Sequence, residues 1–470
     1  RSIARRAGIM ASVIQEMGPD NGSPVAILLP NSPAFVVAFW GILWSGHVIL
    51  PLNFLLRPQE LAGIIKDSGT LVVITSRDFL PLAQAASGKI EDAPKVLLYE
   101  EVCWEEKFGA GVMKRKHPVP EAGDPERPAM LLYTSGSSGT FKGVLLSHRN
   151  ILSNLEGCHG ALSITRDDTF LCVLPCFHSF GLTATFLLPL LSGARLVMSS
   201  TISPESILDT IARHHVTILI MVPTLYGVLL KYPGLRLARL DSIRMAVSGG
   251  GPLSPAIENT FPKLTGVTVH NGYGLTEAAP VISVNLPDGN RAGSVGRTLS
   301  NVTVSVHDEK GNTLPAGQVG ELYAAGENIM IGYLGREEET HAAITLDGCL
   351  RTGDMGYLDK DGFLFLTGRK KDIIICGGEN VYPLEIETFL AGHQAVEEAA
   401  VTGIPDEIRG ECPKAWVKLR PGIGDCAQEL KKYCREGLAP FKVPREFVFV
   451  TEFPRNSLGK IQKNKLPAQA

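Results

Sequence analysis

Residues Tyr133 to Gly143 read Tyr-Thr-Ser-Gly-Ser-Ser-Gly-Thr-Phe-Lys-Gly. The glycines let the backbone turn tightly and approach a ligand, because no Cβ stands in the way. Hydroxyls and free backbone N–H groups suit oxyanions, and Lys142 adds a positive charge. The stretch follows the apolar run Ala129-Met-Leu-Leu132, which reads as a buried strand. A loop of this composition behind a strand is a polyphosphate cradle. Its candidate ligands are Thr134, Ser135, Gly136, Ser137, Ser138, Gly139, Thr140 and Lys142. A GxxxxGK[ST] loop fails on spacing: counted from Gly136, the second glycine falls at Phe141, and Gly143 follows the lysine where Ser or Thr should stand. The plainer reading is a flexible Ser/Gly linker, but such linkers do not usually sit directly behind a buried strand.

Further short motifs close other strand-like runs. Ser248-Gly-Gly-Gly-Pro252 follows Met245-Ala-Val247, and Gly249, Gly250 and Gly251 let a flat ligand lie against bare backbone. An ordinary strand–helix turn explains it equally well. Asn271-Gly-Tyr-Gly-Leu-Thr-Glu277 places an aromatic ring, a hydroxyl and a carboxylate within one turn. Tyr273 can stack on a base, Thr276 can donate to a phosphate, and Glu277 can hold Mg²⁺, which favours carboxylate oxygens beside phosphates. A Thr-Glu pair alone reads more simply as a helix N-terminus. Arg351-Thr-Gly-Asp354 and Gly368-Arg-Lys-Lys-Asp372 flank another strand. Asp354 can accept from both hydroxyls of a ribose, and Arg369 can donate to the same sugar or to phosphate, although either turn alone reads as solvated charge. Near the end, Asn456-Ser-Leu-Gly-Lys460 puts a lysine just after a glycine turn.

The elements that must position these groups belong to a large α/β protein. The chain has 470 residues, more than one ordinary core, and is 44% hydrophobic and 20% charged, as globular proteins are. A net charge of −3 gives no bulk nucleic-acid footprint. No apolar run reaches about 18 residues, so no transmembrane helix is expected. The N-terminus begins Arg-Ser-Ile-Ala without an initiator Met or a signal-peptide pattern and reads as truncated, so it says nothing about targeting. Nine cysteines without CxxC pairs point to reduced thiols and a cytoplasmic protein with at most peripheral membrane contact. Cys172, Cys176 and His178 lie close in sequence, but Cys172 sits in the apolar run Phe170-Leu-Cys-Val-Leu174, where a thiol acts as a small hydrophobe rather than a metal ligand.

Strands are expected at 25–29, 71–74, 170–174, 195–198, 216–222, 243–247 and 267–270. Helices are expected at 33–44, 151–163, 180–191, 204–214 and 224–232. This βαβ rhythm implies largely parallel, helix-covered sheets, with ligands beyond the C-terminal strand ends. From about 293 to 367, short runs separated by Gly or Asp turns read as an antiparallel subdomain. A small α/β unit follows from about 370, so a large N-terminal domain over 1–369 and a C-terminal domain over 370–470 are expected.

Together these stretches resemble the adenylate-forming superfamily of acyl-CoA synthetases, luciferases and nonribosomal adenylation domains. The resemblance runs from about residue 25 to 465 and adds Pro175-Cys-Phe-His178 and Gly377-Gly-Glu-Asn-Val-Tyr-Pro383 to the motifs above. Phe141 departs from it, standing where the family has Pro or a small residue. The resemblance implies that a carboxylate attacks the α-phosphate of ATP, giving acyl-AMP and pyrophosphate, and that a thiol then displaces AMP. It implies Lys460 between the carboxylate and the α-phosphate, Thr276 on that phosphate, Glu277 on Mg²⁺ and the 134–142 loop on the β- and γ-phosphates. Asp354 and Arg369 are implied at the ribose, with Gly249 to Gly251 and Tyr273 around adenine, and Asn271, Gly272 and Gly274 also at the nucleotide. It further implies a small mobile C-terminal domain hinged at Lys371, which removes Lys460 and brings Gly377 and Gly378 round a pantetheine arm.

By the same resemblance His178 gates the acyl and thiol tunnels, and the acyl pocket is His178, Val222, Pro223, Thr224, Gly250 and Gly274. No Arg or Lys in this set would pair a second carboxylate, and no Asp would hold an amino group. The motifs look most like medium- or long-chain fatty acyl-CoA ligases using ATP, Mg²⁺ and CoA. An acyl-carrier-protein ligase, an aryl-CoA ligase and a non-catalytic nucleotide-binding homologue are the alternatives.

Overall fold

A computed structural model describes residues 2–19, 22–102, 104, 123–135, 141–455 and 459–466. Its first sheet contains β1 (Pro24–Leu28), β2 (Val48–Pro51), β3 (Val72–Thr75), β4 (Lys95–Leu98), β5 (Pro128–Ser135) and β6 (Phe141–Ser147). Its second contains β7 (Thr169–Cys172), β8 (Arg195–Met198), β9 (Ile218–Met221), β10 (Met245–Ser248), β11 (Val269–Gly274), β12 (Val281–Val284) and β13 (Arg297–Thr298). A third comprises β14 (Thr303–His307), β15 (Gly320–Ala325), β17 (Leu350–Leu358) and β18 (Leu364–Arg369), whereas β16 (Gly332–Tyr333) returns to the edge of the first sheet against β6. A fourth is formed by β19 (Ile374–Cys376), β20 (Glu379–Val381), β21 (Val396–Asp406), β22 (Gly410–Leu419) and β23 (Glu446–Phe449).

The two large sheets share one plan. In the first, β4, β3, β1, β2 and β5 run parallel before β6 reverses. In the second, β8, β7, β9, β10 and β11 run parallel before β12 reverses. The two richest sequence motifs occupy these reversal points: the Ser/Gly loop joins β5 to β6, and the Thr-Glu turn joins β11 to β12. The βαβ rhythm correctly implied parallel sheets, but not these terminal hairpins. A parallel strand is buried on both faces and reads as a continuous apolar run, whereas β6 begins with Phe-Lys-Gly and carries little such signal.

The helix Pro33–Trp44 lies where expected, started by Ser32, whose hydroxyl accepts from Phe35 N at 3.2 Å, and by proline in the first turn. It packs closely on the helix Ser2–Met17; a Cβ on Gly41 would come within 2.5 Å of Met10. Phe35 and Phe39 meet Phe186 edge-on at 5.7 and 5.1 Å, joining the first sheet's helix to the segment beneath the second sheet. The helix His148–Leu162 is capped reciprocally by Ser147 and Asn150. Asn150 also donates to the carbonyls of Glu327 and Ile329, at 2.8 and 2.7 Å. Among the described residues no helix is long and apolar enough to cross a membrane.

Phe141, unexplained by sequence, is the first residue of β6 and pairs with Ser135 across the hairpin. Its half-buried ring packs on the apolar cluster of Leu131, Leu50 and Ile64, with Phe54 and Leu56 at its margin. A small residue there would leave that margin uncovered, which accounts for the aromatic.

Candidate active site

A cavity of about 1820 Å³ lies between the large sheets and the C-terminal segment. It brings together Thr134, Lys142, His178, Gly249, Gly250, Gly272, Tyr273, Gly274, Thr276, Glu277, Arg369, Lys371 and Lys460 from the sequence-derived set. Gly251, Asn271, Asp354, Val222, Pro223, Thr224, Gly377 and Gly378 do not line it. Gly136, Ser137, Ser138, Gly139 and Thr140 lie outside the described residues, as does the side chain of Ser135.

The Thr-Glu turn is held from several sides. Gly274 has no room for a side chain, since a Cβ would fall 2.0 Å from the Pro280 carbonyl. Asn154 and Asn328 reach the turn from other elements, donating to Val281 O at 2.7 Å and Ala278 O at 2.8 Å. Met330 N donates to Glu277 O at 2.9 Å. Thr276 and Ser179 share a hydrogen bond between hydroxyls at 3.0 Å. The Glu277 carboxylate accepts from the Tyr333 phenol at 3.0 Å, and burial, then the Glu277 charge, pushes that phenol's pKa well up.

At the other rim, buried Asp354 accepts from the Tyr273 phenol at 2.7 Å and from Arg369 Nε at 2.9 Å. Asp354 and Arg369 face each other across β17 and β18, so sheet register sets the pair. Tyr273, read as a stacking ring, is also the donor that anchors Asp354. Asp354, although outside the cavity lining, therefore acts on it through two residues that do line it.

Lys460 lines the cavity from the C-terminal stretch. Gly459 before it adopts φ +77, and a Cβ there would meet Thr224 at 3.0 Å. Thr224, expected in the acyl pocket, instead faces this C-terminal turn. Arg455 Nη1 donates to Gly459 O at 2.7 Å. Crowding by protein atoms and, secondarily, the Arg369 charge lower the Lys460 pKa below the ordinary lysine value. Across the same interface, Lys231 pairs with Glu397 at 2.6 Å. Gly377 and Gly378 form the β19–β20 turn with φ +63 and +86, a conformation that favours glycine.

Residues around the cavity that the sequence did not mark as site residues include Ser179, Phe180, Tyr333 and Glu339. Phe180 lies where a Cβ on Gly249 would need to be, 2.8 Å from its ring. Lys142 is ion-paired with Glu339, in the first turn of the helix Glu337–Ala343. The Gly332-Tyr333 pair, an aromatic after a glycine on a short edge strand, was the available signal.

Cys172 and Cys176 lie with sulfurs 3.7 Å apart, both buried in the apolar cluster between the sheets. Among the described residues no group of three or more His, Cys, Asp or Glu could hold a metal ion. Glu277 nevertheless fits Mg²⁺: it offers a hard carboxylate donor on the cavity wall beside the Thr276 hydroxyl, and Mg²⁺ binds through one or two carboxylates plus substrate phosphates and water.

Burial lowers the His178 imidazole from 6.5 to about 4. Folded His178 therefore stays neutral where the unfolded chain would protonate it, and stability falls as pH drops from 6.5 towards 4. His178→Gln is expected to flatten that loss, measured as the urea midpoint against pH; an unchanged slope would refute it.

The description "AMP-binding enzyme" matches residues 1–334, and "AMP-binding enzyme C-terminal domain" matches residues 385–460. The chain belongs to the AMP-binding enzyme family. It is 34% identical to the long-chain-fatty-acid–CoA ligase of Bacillus subtilis (strain 168), over 97% of this chain and 87% of that one. It is 35% identical to the sulfoacetate–CoA ligase of Cupriavidus necator, over 99% and 91%. O-succinylbenzoate coenzyme A synthetase from Bacillus subtilis, solved in complex with ATP and magnesium ion, superposes with a TM-score of 0.86 at 30% identity, covering 99% of this chain and 93% of that one. The family thus accounts for both large sheets and the C-terminal unit, while these relatives act on chemically different acids.

Proposed function

We infer that the chain is an AMP-forming CoA ligase, and we propose that its acid is a medium- or long-chain fatty acid. The observation that carries the fatty-acid reading is the cavity's inner wall. Cys158, Leu162, Ala184, Leu188, Val247 and Val284 line it and belong to the apolar cluster between the sheets. The charged residues lining the cavity come from other elements: the 51–60 segment, β6, the Thr-Glu turn, the end of β18 with the segment after it, and the C-terminal stretch. A second carboxylate or a sulfonate would meet no cation on that wall, whereas each buried methylene gains about 0.8 kcal/mol.

The first step joins two anions, so it needs positive charge and positioning rather than a side-chain nucleophile. In the proposed scheme Lys460 neutralises the carboxylate and the α-phosphate as the new P–O bond forms. Thr276 holds the same phosphate, and Lys142 leaves Glu339 for the departing pyrophosphate. Glu277 holds Mg²⁺, which would supply charge neutralisation on the phosphates. Asp354 and Arg369 fix the ribose beside Tyr273. For the second step we propose that residues 370–470 rotate about Lys371, withdrawing Lys460 and presenting Gly377 and Gly378 to the pantetheine arm. The CoA thiolate then attacks the acyl carbon and AMP leaves.

The test is ATP–pyrophosphate exchange across C2–C18 and aromatic acids, with Cys158→Trp in parallel. Filling the inner wall should exclude about four methylenes and cut kcat/KM for palmitate about 100-fold, while octanoate changes less than about threefold. Wild-type preference for benzoates would overturn the fatty-acid reading. No exchange with any acid would support a non-catalytic homologue instead.

A further inference from the structure

We propose that Tyr333 is a positioning residue that sets the Glu277 carboxylate for Mg²⁺ with its phenol and steers Lys142 with its ring. This rests on the ligase reading above only in taking Glu277 as the metal-binding carboxylate.

Tyr333 lies on the cavity wall, on an edge strand. β16 is two residues long and pairs Tyr333 with Val144 and Gly332 with Leu145. The pairing places Tyr333 beside Lys142, whose ammonium lies 5.3 Å from the ring centroid, within the range of a cation–π contact. The phenol reaches across to donate to Glu277 at 3.0 Å. One side chain therefore touches both the carboxylate and the cation of the phosphate site, which come from different sheets.

The backbone around Tyr333 is built to hold it there. Its N–H donates to the Thr340 hydroxyl at 2.9 Å, and that hydroxyl donates to Arg336 O at 2.8 Å. Gly332 adopts φ +156, and a Cβ there would fall 2.6 Å from the Thr340 methyl, so the strand lies tightly on the helix Glu337–Ala343. The same helix supplies Glu339, the ion-pair partner of Lys142. Arg336 pairs with Glu339 at 3.2 Å and with Asp67 at 3.7 Å, and the Tyr133 phenol donates to Asp67 at 2.6 Å. This chain of contacts ties the strand before the Ser/Gly loop to the helix that holds Lys142. A hydrogen bond to an ionised carboxylate fixes one of its oxygens and thereby the direction of the other.

The experiment measures binding, with turnover left aside. Mn²⁺ replaces Mg²⁺ and is counted by electron paramagnetic resonance in the ATP complex; metal-free ATP binding is measured by calorimetry. Tyr333→Phe keeps the ring and removes the hydroxyl, and is expected to weaken Mn²⁺ binding in the ATP complex about tenfold while metal-free ATP binding changes less than about twofold. Glu277→Gln should weaken Mn²⁺ at least as much, and the double variant should lose no more than Glu277→Gln alone, because the phenol acts through that carboxylate. Tyr333→Leu, which also removes the ring, should weaken metal-free ATP binding as well. Unchanged Mn²⁺ binding in Tyr333→Phe overturns the proposal, as does equal loss with and without metal, which a merely structural role would produce. An additive double variant overturns it too. If Tyr333→Phe behaves as expected but no acid supports exchange, the positioning role stands and the ligase reading falls.

Discussion

Lys460→Ala is expected to lower acyl-adenylate formation by about 10²–10³-fold while thioester formation from supplied acyl-AMP stays within about threefold of wild type. The asymmetry follows from where the charge is needed. Adenylation brings a carboxylate up to a triphosphate, and Lys460 lines the cavity next to Gly459, whose carbonyl accepts from Arg455. Once acyl-AMP exists, the electrophile is an acyl carbon and the leaving group is already a good one. A second signature comes from acidity. Crowding and the Arg369 charge lower the Lys460 pKa, so adenylation should lose rate on the alkaline side earlier than an ordinary lysine would dictate, and thioester formation should show no matching limb. Pyrophosphate exchange and CoA-dependent AMP release measure the two halves separately. Equal loss in both would remove Lys460 from the proposed role.

Asp354→Leu is the second large effect, and it should appear in stability and nucleotide binding together. The carboxylate is buried and takes the Tyr273 phenol and Arg369. Its removal strands a buried hydroxyl and a guanidinium. Breaking a fully buried pair costs about 3–5 kcal/mol, but 42% of the Arg369 side chain is exposed, so about 2 kcal/mol is expected in urea unfolding. If Asp354 also accepts from the ribose, the KM for ATP should rise about 100-fold, the loss of two charge-assisted hydrogen bonds, with the KM for the acid little changed. A stability loss with an unaltered KM for ATP would leave Asp354 a purely structural anchor.

Of the six positions expected at the acyl pocket, His178, Gly250 and Gly274 line the cavity, whereas Val222, Pro223 and Thr224 stand at the start of the helix Pro223–Lys231, with Thr224 facing Gly459. The apolar wall that the cavity shows comes largely from the helix His148–Leu162 and the segment 181–192. These residues look like ordinary core in sequence, and no local pattern separates a core leucine from one that borders a cavity.

The sequence alone determined the strand runs, the glycine-rich turns at their ends and the order of the motifs. Those features are local: a parallel strand must be apolar throughout, and a turn residue at positive φ, such as Gly377 at +63 or Gly459 at +77, favours glycine. Lys142, Glu277, Arg369 and Lys460 were legible because each charge follows a strand or a glycine turn. Only the tertiary structure decided how those charges are held. Tyr273 meets Asp354 across 81 residues, and Tyr333 meets Glu277 across 56. Such pairs are set by strand register and by which sheet a short edge strand joins. Period-2 or period-3.6 patterns say which face of an element is buried, but not which partner will lie against it.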